Sequence, residues 1–410
     1  MFENYLKMSW KVLLRRPFFT IISLIGISFT LMILMVGVAF YENSYAPNGV
    51  MKNFDRVVSI SHLKLSNTEK QNTNEGTLGY YFIKEYVKKM KIPEEISFTS
   101  NVRTINIFRN DLKFELNVRY IDAQFWNIAR FEFLKGRSFN DMEVKNADPT
   151  AVIDYKTCME YFGTSDAIGK QINIKGIEYK ISGIVKNESS IRTQVYANVF
   201  LPYTTGKLNL TSSDYLGPFE CLLMAKKASD IEKIRTEWAQ TIPRIAIPKD
   251  MTKVESYITT QFDQIIENYT LSQTSHFSFI AIFVLLLLLF MLLPSLNLAN
   301  LNITRIMERS AEIGIRKSFG ASSKKLIVQF IIENVFLTFI GGFLGLALSV
   351  IVLQFIEFSG VFPNTNFSIN AIVFIYCLLL SLIFGLMSGV YPAWKMSKLN
   401  IMNALREGKI

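Results

Sequence analysis

Four long apolar runs constrain this chain more than any other feature of its sequence. They cover residues 18–40, 277–301, 326–356 and 371–393. An α-helix needs roughly 20 apolar residues to cross a bilayer, and each run is long enough. No residue between Phe279 and Leu293 is charged or polar, which makes a buried helix of a soluble protein a poor alternative. We therefore predict an α-helical membrane protein with four transmembrane helices.

A large segment of ordinary soluble composition, residues 41–275, separates the first two runs. Alternating apolar residues predict a strand over 113–121, and Lys175-Gly176 inside 171–185 predicts the turn of a hairpin. Further strands are predicted over 57–61, 105–108 and 195–201, and helices over 78–90 and 230–240. Mixed elements of this kind indicate an α+β domain, which we expect to comprise two lobes.

The basic residues indicate how the chain is oriented in the membrane. Residues 41–275 contain 30 of the 44 Lys and Arg, balanced by 28 acidic residues. The other 14 basic residues all fall between 7–16, 305–325 and 395–409, and the loop 357–370 has none. Because basic residues flank spans on the cytoplasmic side, we expect both termini inside the cell and the large domain outside.

The predicted organisation follows from these observations. The order of segments is a cytoplasmic amphipathic N-terminus (1–17), the first span (18–40), the extracytoplasmic domain (41–275), the second span (277–301), a cytoplasmic loop (302–325), the third span (326–356), a short external loop (357–370), the fourth span (371–393) and a cytoplasmic tail (394–410). The N-terminal run is longer than the core of a signal peptide, so we expect an uncleaved anchor.

The sequence contains no pattern that indicates catalysis. Two histidines and three cysteines leave little material for a histidine-based active site or a zinc site. Neither Gly-x-Ser-x-Gly nor His-Glu-x-x-His occurs, and no phosphate-binding loop is present. We expect no catalytic, cofactor-binding or metal-binding residues and no nucleic-acid partner. Cys158 and Cys221 either form a disulfide or remain as buried thiols.

The cytoplasmic loop predicts a short amphipathic helix. Glu308, Glu312 and Arg316 recur at four-residue spacing, so they lie on one side of a helix. Such a helix suits docking onto a soluble partner, although a merely solvated helix has the same charge pattern. The candidate docking residues are Arg305, Glu308, Arg309, Glu312, Ile313, Gly314, Arg316 and Lys317.

Small residues recur at four-residue spacing in the last two spans, where they permit close helix packing within a bundle or a dimer. These residues are Gly341, Gly345 and Ser349 in the third span and Ser381, Gly385 and Gly389 in the fourth. Three further polar residues, Asn297, Asn300 and Glu333, lie in or beside the spans. We expect the asparagines to bond between helices, and Glu333 is a functional candidate because ionisable groups are rare in spans.

Several motifs resemble one family of membrane proteins. The run Glu312-Ile-Gly-Ile-Arg-Lys-Ser-Phe-Gly-Ala-Ser and the ending Tyr391-Pro-Ala-Trp-Lys-Met-Ser-Lys-Leu-Asn resemble the signatures of FtsX-like and MacB-like ABC transporter permeases. Within the outer domain, Gly136-Arg-Ser-Phe, Phe162-Gly-Thr-Ser-Asp-Ala-Ile-Gly and Tyr179-Lys-Ile-Ser-Gly-Ile-Val are similar to that family's periplasmic core domain. The resemblance covers nearly the whole chain.

The resemblance implies a mechanism and a set of partners. Such permeases pair as dimers, of one chain or of two paralogues, and bind two ATPase subunits through the helix after the second span. ATP-driven dimer closure then moves the outer domains, which is termed mechanotransmission. The two lobes would form from both ends of the outer segment and from an insertion between them. These properties imply a bacterial inner-membrane efflux complex.

One departure from the family concerns the ATPase. The macrolide exporter carries an ATPase domain before its first span, whereas here 17 residues precede it and no phosphate-binding loop occurs. We therefore expect ATP and Mg²⁺ to be bound by a separate chain, and macrolides are not carried over as the substrate. Two alternatives remain: an FtsX-like scaffold that controls an envelope hydrolase or adaptor, and an envelope receptor without ATP coupling.

Overall fold

The chain divides into two units in its computed structural model. The structure describes residues 17–45, 49–260 apart from 68, 70 and 110, and 323–397, with isolated positions 10, 14, 263, 281, 285 and 289. We call residues 1–42, 277–361 and 366–410 the membrane unit, and residues 43–276 and 362–365 the outside unit.

The described part of the outside unit is a β-rich α+β domain. Its strands are β1 (Val57–Ile60), β2 (Leu63–Asn67), β3 (Asn72–Gly76), β4 (Glu95–Ser100), β5 (Arg103–Arg109), β6 (Leu112–Ile121), β7 (Phe133–Gly136), β8 (Thr150–Asp154), β9 (Gln171–Ile174), β10 (Ile177–Val185), β11 (Val199–Pro202), β12 (Phe219–Met224), β13 (Lys253–Ser256) and β14 (Thr259–Thr260).

Helices are short in this unit and long in the other. They are α1 (Pro17–Tyr45), α2 (Tyr80–Phe82, continued by a π-helical turn, Ile83–Val87), α3 (Phe125–Ile128), α4 (Asp141–Lys145), α5 (Tyr155–Phe162), α6 (Ile231–Thr241), α7 (Ser323–Phe358) and α8 (Ala371–Ser397). Single 3₁₀ turns span Gly49–Met51, Phe54–Arg56, Tyr203–Thr205, Ala228–Asp230 and Ile242–Arg244.

One mixed sheet of 11 strands dominates the outside unit. Its order is β14-β1-β12-β4-β6-β11-β8-β10-β7, with β5 paired to β6 and β9 to β10. The pairs β10–β8 and β11–β6 are parallel and the remaining neighbours are antiparallel. A second sheet has the order β13-β2-β3. The strands that begin and end the segment therefore lie together at one side of the large sheet.

The large sheet has two halves that meet along a very short ladder. We call β1, β4, β12 and β14 the terminal half, and β5 to β11 the central half. Between them, β4 and β6 share the single register pair Thr99–Ile121, whereas β5 and β6 pair over the whole length of β5. Both halves belong to one unit, so the expected two lobes stay a prediction.

Some strands inside the large sheet are buried on both faces, which explains why they are continuously apolar. In β12, Cys221 and Leu223 contribute to one apolar cluster with Trp238, while Leu222 and Met224 contribute to another on the opposite face. A third cluster lies within the central half, around Val118. Strands buried on two faces show runs rather than alternation.

The predicted elements are found with two adjustments. The hairpin at 171–185 is present, and its turn places Lys175 at φ 53° and Gly176 at φ 84°, as a tight hairpin turn requires. The strand predicted over 195–201 begins only at Val199, because the residues before it form a turn in which the amides of Val195 and Tyr196 donate to the carbonyl of Arg192. The helix predicted over 78–90 is a short irregular turn over 80–87, since Gly79 is held in a backbone bond to Tyr215.

The cysteines of the outside unit are free thiols, so of the two possibilities raised by the sequence, a disulfide or buried thiols, the structure shows buried thiols. Cys158 and Cys221 are both fully buried and unpaired with each other. The Cys158 thiol donates to the carbonyl of Thr164 at 3.0 Å. Burial raises the pKa of Cys158, and it raises the pKa of Cys221 further.

We expect both thiols to resist a maleimide reagent in the native protein at about pH 7.5, because the thiolate is the reactive form. In denaturant both should react without prior reduction, as peptide mass spectrometry would show. A Lys145→Cys variant, placed on an exposed side chain, provides the control for reagent access. A requirement for reductant before labelling would contradict the free-thiol assignment.

The described part of the membrane unit consists of three long helices. Two stretches, Thr20–Ser44 and Ile331–Phe358, are long and apolar enough to cross a bilayer, each with a mean hydropathy of 2.5. The third, Ala371–Ile383, is a shorter apolar stretch at the start of α8. Residues 277–301 fall outside the described ranges except at isolated positions, so the count of four spans stays a prediction.

Candidate functional site

Two glycines bring the third predicted span against the first. A Cβ atom on Gly341 would lie 2.7 Å from Cγ2 of Ile27, and a Cβ on Gly345 would lie 2.8 Å from both Cβ of Leu31 and the carbonyl oxygen of Ser28. Real Cβ contacts are longer than this, so α7 and α1 approach each other more closely than any side chain at these positions permits. The packing lies within one chain.

The same part of α7 also packs against α8. A Cβ on Gly342 would lie 2.5 Å from Cδ1 of Leu378. Leu31, Leu337 and Cys377 are buried where the three helices meet. Ser349 and Ser381 are buried as well. Gly385 and Gly389 lie in α8, but their surroundings fall outside what the structure describes.

Polar side chains in these helices are buried and bond locally. Oγ of Ser28 donates to the carbonyl of Ile25 at 3.2 Å, and Oγ1 of Thr338 donates to the carbonyl of Asn334 at 2.9 Å. Each bond satisfies a hydroxyl that has no water to bond in an apolar bundle. Glu333 is 4% exposed. The functional role predicted for this carboxyl stays a prediction.

The remaining candidate residues lie outside the described ranges. They are Asn297, Asn300 and the docking residues Arg305, Glu308, Arg309, Glu312, Ile313, Gly314, Arg316 and Lys317. Their assigned roles stay predictions.

A buried ion pair joins the two halves of the outside sheet. Arg119 in β6 is 2% exposed, and its Nη1 lies 3.2 Å from Oε1 of Glu220 in β12. The same nitrogen donates to Oγ1 of Thr99 at 2.9 Å and to the carbonyl of Ser100 at 3.3 Å, both in β4. Arg119 therefore connects the central half to two strands of the terminal half.

The other nitrogens of Arg119 bond to the loop before β11. Nε donates to the carbonyl of Tyr196 at 3.4 Å, and Nη2 donates to the carbonyl of Thr193. Burial lowers the pKa of Arg119 and raises the pKa of Glu220, and the opposite charge of each partner counteracts the shift of the other. A buried charge without its partner would be strongly unfavourable here.

A second buried carboxylate lies at the same join. Asp122 follows β6, and its Oδ1 accepts from Oγ of Ser97 in β4 at 2.6 Å while its Oδ2 lies 3.0 Å from Nζ of Lys88. Burial raises the pKa of Asp122, and Lys88 opposes this shift. The two halves are thus held by directional polar bonds on both sides of the short β4–β6 ladder.

Sequence reasoning missed Arg119 and Glu220. The only sequence signal is a charged residue inside the otherwise apolar run Val118-Arg119-Tyr120-Ile121, and nothing in that run identifies a partner about a hundred residues away. Among the residues that the structure describes, no group of three or more His, Cys, Asp or Glu could hold a metal ion.

Comparison with known proteins gives two family matches, one for each part of the chain. Residues 18–241 match the family model for the MacB-like periplasmic core domain, which covers more than half of the chain. Residues 281–401 match the model for the FtsX-like permease C-terminal region. The second match contains the predicted docking loop and the third and fourth predicted spans.

Individual relatives are similar over about 70% of the chain. The uncharacterized ABC transporter permease YknZ of Bacillus subtilis is 26% identical over 295 residues, which are 71% of this chain and 70% of the relative. The macrolide export ATP-binding/permease protein MacB 2 of Aeromonas hydrophila is 25% identical over 290 residues, or 70% of this chain. Those residues are 42% of that protein, so this chain spans under half the length of the exporter.

Solved structures of outer domains are also similar. The periplasmic region of MacB from Actinobacillus actinomycetemcomitans is 14% identical, with a TM-score of 0.38 over 54% of this chain and 94% of that one. The extracellular domain of the noncanonic ABC-type transporter YknZ from Gram-positive bacteria is 13% identical, with a TM-score of 0.36 over 48% of this chain and 99% of that one.

The two family matches agree with the apolar helices and with the α+β domain described above. The chain belongs to the family of ABC transporter permeases that combine a MacB-like periplasmic core domain with an FtsX-like permease C-terminal region.

Proposed function

We propose that this chain is the membrane subunit of an ATP-driven complex that works by mechanotransmission on substrates held in the bacterial cell envelope. The observation that carries the proposal is the pair of family matches over 18–241 and 281–401. The close packing of α1, α7 and α8 supports it, since helices in such contact move as one body. The two halves of the outside sheet are bonded to each other, so we expect the outside unit to move as a rigid body.

The proposed complex contains two permease copies, or two paralogues, and ATPase subunits that bind ATP and Mg²⁺. This chain spans the bacterial inner membrane four times, with both termini and residues 302–325 in the cytoplasm. The unequal distribution of basic residues supports that topology. An envelope adaptor or a hydrolase is a further partner of the outside unit.

We assign the coupling between ATPase and permease to the helix that the sequence predicts around 305–317. Reversing either Glu312 or Arg316 should weaken the binding of the ATPase about tenfold or more, because like charges facing each other across an interface cost several kcal/mol. The measurement is co-purification of the tagged chain from native membranes in mild detergent, with quantitative mass spectrometry and an ATPase assay on the eluate.

Two controls sharpen this experiment. The double variant Glu312→Arg with Arg316→Glu keeps an ion pair at four-residue spacing but reverses the surface that the helix presents, so it should also lose the ATPase. Lys409→Glu in the cytoplasmic tail should leave binding unchanged. Recovery of binding in the double variant would show that the pair only stabilises the helix. Absence of any ATPase from the wild-type eluate would favour the receptor reading.

A further inference from the structure

The segment that connects β10 to β11 is a buried loop rather than a surface turn. Ser189, Arg192 and Gln194 are all less than 8% exposed. Backbone bonds fold the loop on itself, with the amide of Arg192 donating to the carbonyl of Ser189 at 3.0 Å and the amide of Tyr196 donating to the carbonyl of Arg192 at 2.9 Å. Connecting loops usually lie at the surface, so a buried one needs a structural reason.

This loop binds the connection between α7 and α8. Residues 362–365 belong to the outside unit, while the residues on either side of them in the chain do not. The side-chain oxygens of Ser189 and Thr365 lie 2.7 Å apart, and both residues are buried. The amide of Ser190 donates to the carbonyl of Pro363 at 3.1 Å. We call residues 188–192 with 362–365 the anchor.

The same loop binds the chain where it leaves the first predicted span. Nε of Arg192 donates to the carbonyl of Asn43 at 2.8 Å, and Nη1 lies 2.9 Å from Oε1 of Glu188. Burial raises the pKa of Glu188, and Arg192 opposes this shift. A buried and paired guanidinium is costly to displace, so the anchor is a rigid part of the outside unit.

The linkers on either side of the anchor are short. Four residue steps join the end of α7 at Phe358 to Phe362, and six join Thr365 to the start of α8 at Ala371. At full extension they reach about 14 Å and about 21 Å.

Two residues of the second linker are already bonded within the membrane unit. Nδ2 of Asn370 donates to Oε1 of Glu42 at 2.8 Å, and the amide of Phe367 donates to Oε1 of Glu357. The ring centroids of Phe40 and Phe367 are 4.6 Å apart. The second linker is therefore fixed close to both of its ends.

From these contacts we infer that the anchor is a permanent mechanical tether through which movement of α7 and α8 reaches the outside unit. The inference rests on the proposed function. The chain already connects the two units where it enters and where it leaves the 43–276 segment. The anchor is a third connection, and it gives the loop 357–370 a role in coupling.

The test makes the tether slack without disturbing the anchor. A flexible Gly-Ser-Gly-Ser insertion is placed between Gly360 and Val361 and again between Asn366 and Phe367, so that residues 362–365 remain intact. The control carries the same insertion between Lys175 and Gly176, in the exposed turn of the β9–β10 hairpin. The complex with its ATPase is purified in nanodiscs, and Lys145→Cys probes report the distance between outside units with and without a non-hydrolysable ATP analogue.

We expect the nucleotide-dependent distance change to fall at least about twofold in the slack variant and to stay at the wild-type value in the control, with ATPase association unchanged in both. An undiminished change in the slack variant would overturn the tether and leave the proposed function in place. The absence of any change in the wild-type complex would overturn the proposed function, and the tether with it.

A cross-link tests whether the anchor stays closed. Cysteines at 189 and 365 are close enough for a disulfide, because their side-chain oxygens are already in contact. The oxidised Ser189→Cys/Thr365→Cys variant should keep the full distance change, as should its reduced form. Loss of the change on oxidation and its return on reduction would show that the anchor opens during the cycle, which contradicts a permanent tether.

Discussion

Replacing Arg119 with methionine is expected to destabilise the outside unit by about 3 kcal/mol, because the substitution leaves Glu220, whose side chain is only 14% exposed, without its partner. It also removes the donors to Thr99, Ser100 and Thr193. Thermal unfolding of the full chain in detergent, followed by tryptophan fluorescence, measures the effect, since Trp126 and Trp238 both lie in the outside unit.

The double variant Arg119→Met with Glu220→Leu distinguishes the loss of the ion pair from the cost of leaving the Glu220 carboxylate without a partner. Removing both partners of a buried pair is often close to neutral, so the double variant should recover much of the loss. Arg137→Met is the control, because its ion pair with Glu143 involves an exposed arginine and should contribute little. A single variant as stable as wild type would contradict the proposed role of Arg119 at the join.

The loss caused by Arg119→Met should also depend on pH. Burial raises the pKa of Glu220, and without Arg119 nothing opposes that shift. A carboxyl whose folded pKa lies above its unfolded value, about 4.3, stabilises the fold below the unfolded pKa and loses this contribution as the pH rises through the folded pKa. The deficit relative to wild type should therefore be smallest near about pH 4 and largest at neutral pH.

Replacing Gly345 with leucine is the second change with a large expected effect. A Cβ at this position already meets Cβ of Leu31 and the backbone of Ser28 at 2.8 Å, and backbone cannot turn aside as a side-chain tip can. Overpacking of this kind costs about 1–3 kcal/mol or more. We expect α1 and α7 to separate, with a lower unfolding temperature of the full chain in detergent and loss of ATP-dependent movement in the complex.

The membrane helices supply a matched control for this substitution. Gly37 lies in α1, and no atom lies within 4 Å of a Cβ built on it, so Gly37→Leu should leave the packing of this chain unchanged. Gly341→Leu should behave as Gly345→Leu does, since it faces Ile27. Equal stability of the Gly37 and Gly345 variants would contradict close packing of α1 on α7.

Local patterns predicted the elements of this chain better than they predicted its contacts. The 171–185 hairpin was predictable because turn residues and alternation are read from neighbouring positions. The parallel pairing of β11 with β6 was not, since strands buried on both faces lose the alternation that reports a face. The spacing of Gly341 and Gly345 indicated close packing, but only the structure identifies Ile27 and Leu31 of the same chain as the contacts.

The contacts of the 357–370 loop were also not predictable from its sequence. Its sequence lacks basic residues and predicts a simple external connection. The bonds of Pro363 and Thr365 to Ser190 and Ser189 join positions more than 170 residues apart. Serine and threonine hydroxyls are so common in loops that no pattern of one segment indicates such a pairing.

The geometry of the join between the two halves has a consequence for the evolution of the family. The central half begins at Arg103 and ends at Pro202, and the residues that flank it are close, with the rings of Phe98 and Tyr203 only 4.7 Å apart. A segment whose ends lie close together can be exchanged as a cassette without rebuilding its host. Gene-level replacement of residues 103–202 would still have to preserve Arg119 and the 188–192 loop, because both lie inside the segment and bond to residues outside it.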